Sequence, residues 1–187
     1  MSNVDICNQA LTFLGAERIT SLTQNSENAR RCNAIFEQTR NEVIRSHPWN
    51  FAVARVSLAL LSTTPVDSSF SAEFQLPADC LKVLTITDQA DPEFKIEGRK
   101  LLCDYSEVYI RYIKKVTDPV QFDDNFIEAL AAKLAMKLAY PITESKTLAE
   151  LSKELYDDIL ADARSIDAQE GTPEETIEGD WLDARSE

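Results

Sequence analysis

The side chains that could do chemistry are few, and one of them is unique. His47 is the single histidine of the chain. A Ser–His–Asp or Cys–His mechanism needs a base beside its nucleophile, so it would have to pass through this one imidazole. A zinc site of the histidine-rich kind is out of reach for the same reason. Cys7, Cys32, Cys80 and Cys103 form no Cys-x-x-Cys pair. With no basic or apolar leader at Met1–Asp5, they are expected to be reduced, small core residues. Asp and Glu total 32 against 19 Lys and Arg, so paired carboxylates carry little information here. Asp123–Asp124 and Asp157–Asp158 read as solvated helix residues and not as an acid–base pair. No spacing of Asp, Glu and His fits a metal loop, and 4 glycines leave little for a phosphate cradle. The expectation is a non-enzymatic protein that uses no cofactor and no metal.

Charge and aromatic residues direct attention to surfaces instead. The net charge of −13 is unevenly spread: residues 1–62 hold 6 basic and 5 acidic side chains, residues 163–187 hold 2 and 8. Tight DNA binding needs clustered Lys and Arg, which this balance disfavours. No run approaches the roughly 18 apolar residues of a membrane span, so no membrane partner is expected. Arg30–Arg31 and Lys114–Lys115 are basic doublets, read as solvated faces or ion-pair partners, with Arg30 and Arg31 also candidate interface residues. The densest aromatic cluster is His47-Pro48-Trp49-Asn50-Phe51. It suits a helix end whose rings pack a junction, and Trp49 is a contact candidate if the cluster meets a partner instead. In the acidic segment after Pro173, Ile177, Trp181 and Leu182 are the apolar side chains. An aromatic anchor flanked by charge has the profile of an interface residue, so this segment is expected to be disordered alone or docked on a neighbour.

These residues must be positioned by elements that the spacing suggests. Val4, Cys7, Leu11 and Leu14 fall at helical intervals before Gly15. Ala29, Cys32, Phe36, Thr39 and Val43 mark a longer helix, capped by Asn25 or Ser26 and stopped before Pro48. Residues 51–61, 81–87, 94–96, 101–103 and 108–113 read as strands, with Glu97–Lys100 as a hairpin turn. Phe126, Leu130, Leu134 and Leu138 form a third helical stripe, ending at Tyr140-Pro141. Leu148, Leu151, Leu155 and Ile159, continuing to Ile166, form a fourth, with Thr143 as its cap. The expected fold class is mainly α, in the α+β sense. A four-helix bundle from residues 1–50 and 122–171 carries an inserted small antiparallel β lobe, 51–121. An extended acidic C-terminal arm, 172–187, follows.

Several segments, in this order, resemble the tail tubular protein A family of short-tailed bacteriophages. They are Ala10-Leu11 with Leu14-Gly15-Ala16, Ser21-Leu22, and Ala29-Arg30-Arg31-Cys32. Next come Arg45-Ser46-His47-Pro48-Trp49-Asn50-Phe51-Ala52 and Phe74-Gln75-Leu76-Pro77-Ala78-Asp79-Cys80-Leu81. Glu97-Gly98-Arg99, Leu101-Leu102, Arg111-Tyr112-Ile113, Phe126 with Glu128-Ala129-Leu130-Ala131, and Trp181 complete the match. The two long blocks are the specific ones. The resemblance implies a helical bundle with a β lobe and an arm that reaches the portal protein. It further implies a homo-oligomeric ring, a dodecamer, between the portal and a tail nozzle similar to tubular protein B. Double-stranded DNA would pass through without sequence-specific binding. The place implied is the head–tail junction of the virion, after synthesis in the host cytoplasm. Two other function classes remain beside this one: a virion component that degrades peptidoglycan through a hidden carboxylate pair, and an acidic assembly or regulatory protein.

Overall fold

The computed structural model describes residues 1–63, 65, 69–87, 89 and 91–170 of the 187. Its first helix, α1 (Asn3–Phe13), opens with a reciprocal cap. Ser2 Oγ accepts the Asp5 N–H at 3.2 Å while Asp5 Oδ2 accepts the Ser2 N–H at 2.8 Å. Gly15 ends it at φ +64°, and the Ala16 N–H returns to the Leu11 carbonyl at 2.9 Å. Helix α2 (Glu27–Ser46) is capped by Ser26 and buries Ala29, Cys32, Phe36, Thr39 and Val43, the stripe that spacing predicts. Helix α3 (Asp124–Thr143) starts on Asp123, and α4 (Lys146–Gln169) starts on Ser145. Thr143 is not the cap of α4. Its hydroxyl donates to the Ala139 carbonyl at 2.6 Å, inside a last turn that runs past Pro141.

Helix α3 is the hub. It is buried nearly all round, with Ala129, Ala131, Ala132, Ala135 and Ala139 keeping its profile thin. Each of α1, α2 and α4 packs against it, and no other pair of helices makes an extensive contact among the described residues. The main core gathers around it and takes in Trp49, Ala52 and Val116 from the connections to the sheets and Ile113 from a strand.

The expected mainly α class with one small β lobe does not hold. Among the described residues six strands form two separate three-stranded antiparallel sheets, so the fold is a true α+β mixture. One sheet has the order β1 (Val53–Ser57), β6 (Tyr109–Lys114), β3 (Cys80–Thr87). The other has β2 (Ala72–Gln75), β5 (Lys100–Cys103), β4 (Lys95–Glu97). Between them lies a second core of Leu58, Phe74, Ile86, Leu101, Ile110 and Tyr112. The strand that sequence reading lacks is β2. Its Glu73 is unlike a buried strand residue until Lys100 on β5 is placed 2.6 Å away and the Thr63 hydroxyl 3.1 Å away. The hairpin β4–β5 thus pairs with β2 and not with the sheet of β3 and β6.

Helix α4 brings a second correction. The residues it buries are Ser152, Tyr156, Leu160, Ala163 and Asp167. The expected stripe is divided: Leu148 and Ile159 pack partly against the main core, while Leu151 is 54% exposed, Leu155 40% and Ile166 43%. Both sets fall at helical spacing, and α3 took the one containing Tyr156, whose ring lies 4.3 Å beneath the Lys133 ammonium.

Candidate functional site

The block Arg45–Ala52 builds a densely bonded polar site. Pro48 bars α2 from continuing, and His47 leaves the helix in extended backbone, φ −148°. Trp49 then turns inward and is fully buried. Its indole N–H donates to the Val43 carbonyl at 3.0 Å, which satisfies one of the open carbonyls at the end of α2. Its ring meets His47 and Phe126 edge-on at centroid distances of 4.9 and 5.2 Å. Phe51 extends the same aromatic cluster to Phe122 and Phe126. Enclosed in this way, Trp49 holds a junction and offers no contact surface to a partner.

The other side of the block faces the last turn of α4. His47 Nε2 lies 3.1 Å from Asp167 Oδ2, and the Asn50 backbone N–H donates to Asp167 Oδ1 at 3.0 Å. Asn50 Nδ2 donates to the Asp167 carbonyl at 2.8 Å. Arg164 Nη2 donates to the Ser46 carbonyl at 3.1 Å. These bonds clamp the end of α2 to the end of α4, directly before residue 171. Sequence reading missed Asp167, Arg164 and Asn50 as a unit, because more than a hundred residues separate the two sides and neither side has a partner of its own.

A carboxylate group also gathers here. Burial pushes the Asp123 carboxyl above its ordinary value, and the charges of Asp167 and Glu170 add to the rise. A raised carboxyl in a group that also holds a histidine is the composition of an acid–base site. The bonding argues against that use. Asp123 Oδ1 caps α3 by accepting the Phe126 N–H at 2.7 Å, and both Asp167 oxygens accept from the block. Of this set only Glu170 is exposed, and Asn50 Nδ2 lies 3.5 Å from it. Elsewhere the thiols are equally occupied: all four cysteines are buried, and the Cys7 thiol is pushed up by its hydrogen bond with Cys32 and by burial. Among the described residues, no three or more His, Cys, Asp and Glu side chains are grouped to hold a metal ion. Nor, among these residues, is any helix long and apolar enough to cross a membrane.

Of the remaining candidates, Arg30 and Arg31 begin α2 at the surface. Arg30 donates to Asn25 Oδ1 at 2.8 Å, and Arg31 pairs with Glu27 one turn earlier. They lie at the opposite end of α2 from the clamp and are not part of it. Ile177, Trp181 and Leu182 lie outside the described residues. Further along α2, a groove of about 620 Å³ opens between the helix and β3, lined by Ala34, Glu37, Asn41, Glu42, Arg45 and Leu81. No family model matches the sequence, and no curated protein is significantly similar to it.

Proposed function

We propose that the chain is a structural protein of a short-tailed phage virion: a head-to-tail adaptor. Copies form a ring, twelve in the pattern of the tail tubular protein A family, between the portal and the tail nozzle. One observation carries the reading. The segment with the most specific resemblance, Arg45–Ala52, engages His47, Trp49 and Asn50 in clamping two helix ends together. A building block needs what this clamp provides, a fixed origin for the residues beyond 170. Those residues, with Ile177, Trp181 and Leu182, are in this reading the arm that meets the portal. A channel wall made from a chain of net charge −13 would repel phosphates and let DNA pass without sticking.

Negative-stain electron microscopy of the purified protein, alone and mixed with its cognate portal, tests the proposal. A closed ring coaxial with the portal is expected. No ring in either sample would sink it, and a cleared zone on a peptidoglycan gel would favour the degradative reading instead.

A further inference from the structure

Two features on opposite flanks of the α2–α3–α4 layer are left open among the described residues. The first is the outward edge of α4, Leu151, Leu155 and Ile166, which recur at four- and eleven-residue steps beside Leu148 and Ile159, themselves partly buried against the main core. Leu151, Leu155 and Ile166 are exposed. A helix with two apolar faces buries one in its own fold and offers the other. The border of this second face is acidic, with Glu154, Asp158 and Asp162 all exposed.

The second feature is the groove on α2. Ala34 and Leu81 give it an apolar floor. Its two glutamates are already neutralised, Glu37 by Lys115 and Glu42 by Lys137. Arg45 is the charge left over on the rim, its Nε donating to the Leu81 carbonyl at 3.0 Å.

One copy cannot bring these features together. Arg164, which reaches Ser46 at the end of α2, marks the side of α4 that faces α2. At 100° per residue the leucine stripe lies on the other side of the buried Tyr156–Ala163 line. The groove in turn lies on the face of α2 opposite Ala29, Cys32, Phe36 and Val43, which are buried in the core. The two surfaces therefore look outward from opposite ends of the layer.

We infer that they are the two halves of one contact between copies of this chain. The α4 stripe of one copy seats in the α2 groove of the next, with Leu151 and Leu155 over Ala34 and Leu81 and the acidic border against Arg45. Charge selects this occupant. Stripe against stripe would set acid against acid, and residues 171–187, with one basic and six acidic side chains, carry the same wrong sign. The contact is heterologous, so its repetition generates a ring when the rotation closes. The inference rests on the adaptor reading and gives that ring its interface.

Sedimentation velocity of the full-length chain over a range of concentrations, beside microscopy of the same samples, provides the test. Leu151→Asp with Leu155→Asp is expected to weaken self-association at least about tenfold with an unchanged circular dichroism melt. Arg45→Glu is expected to weaken it as well, and adding Asp158→Arg to the same chain to restore it, since the pair is then reversed and not lost. Wild-type rings together with variants that ring equally well would overturn this contact and spare the adaptor reading. A wild-type chain that forms no ring, alone or with portal, overturns the adaptor reading itself.

Discussion

Thr39 is the polar residue most out of place in the core. It is fully buried on α2, and its hydroxyl has no hydrogen-bond partner among the described residues. A buried hydroxyl without a partner bears a desolvation penalty that an isosteric methyl does not. Thr39→Val should therefore raise stability by about 1 kcal/mol, measured by urea unfolding; a loss of stability would mean that the hydroxyl is satisfied in solution. Thr39 was legible as a core position from its place in the α2 stripe. Its missing partner was not, because that depends on what α3 presents across the contact. Trp49 shows the same division. Pro48 announces the end of α2 and the aromatic run announces a junction, yet only the fold reveals that the indole closes on Val43 and that Asp167 completes the site from 117 and 120 residues away.

Among the elements, the starts and stops of helices follow from local chemistry. Ser2, Ser26, Asp123 and Ser145 accept N–H groups of the turns they open, and such caps are written in a few adjacent residues. Which face a helix buries is not local. The α4 leucines satisfy helical spacing as well as Tyr156 and Leu160 do, and the choice belongs to the surface of α3. Strand β2 was hidden for a related reason, since the lysine that makes Glu73 acceptable sits 27 residues later. The junction of α3 and α4 carries strain. Glu144 is held at φ +54° in the left-handed region, where a side chain is disfavoured. Glu144→Gly should relieve this and stabilise the protein by about 0.5–1 kcal/mol, seen as a higher melting temperature. An unchanged or lower melting temperature would show that the αL turn is not a source of strain.

The whole molecule responds to acid through its ion pairs. The Ser2 backbone N–H holds Asp5 below the ordinary carboxylate range, and lysines do the same elsewhere: Lys115 for Glu37, Lys137 for Glu42, Lys100 for Glu73. A depressed carboxyl stabilises the fold above its unfolded value, and that stability is lost as pH falls through the folded value. Asp123 works the other way. Burial raises it, so acidification relieves its charge. Four groups against one set the sign, and thermal unfolding should shift to lower temperature as pH drops below about 5. A melting temperature that holds or rises down to about pH 3 would show that these pairs contribute nothing.

The clamp at the end of α4 has a mechanical meaning. A pull on the chain beyond residue 170 reaches the fold at Asp167, where side chain and carbonyl hold to His47 and Asn50 through three bonds at one point. Meeting at one residue, those bonds share tension, unlike bonds peeled one by one from the end of a strand. Behind them stands Trp49, wedged against Phe126 of the central helix. Force entering at the last turn of α4 is thereby delivered to α3, the most deeply seated element of the protein.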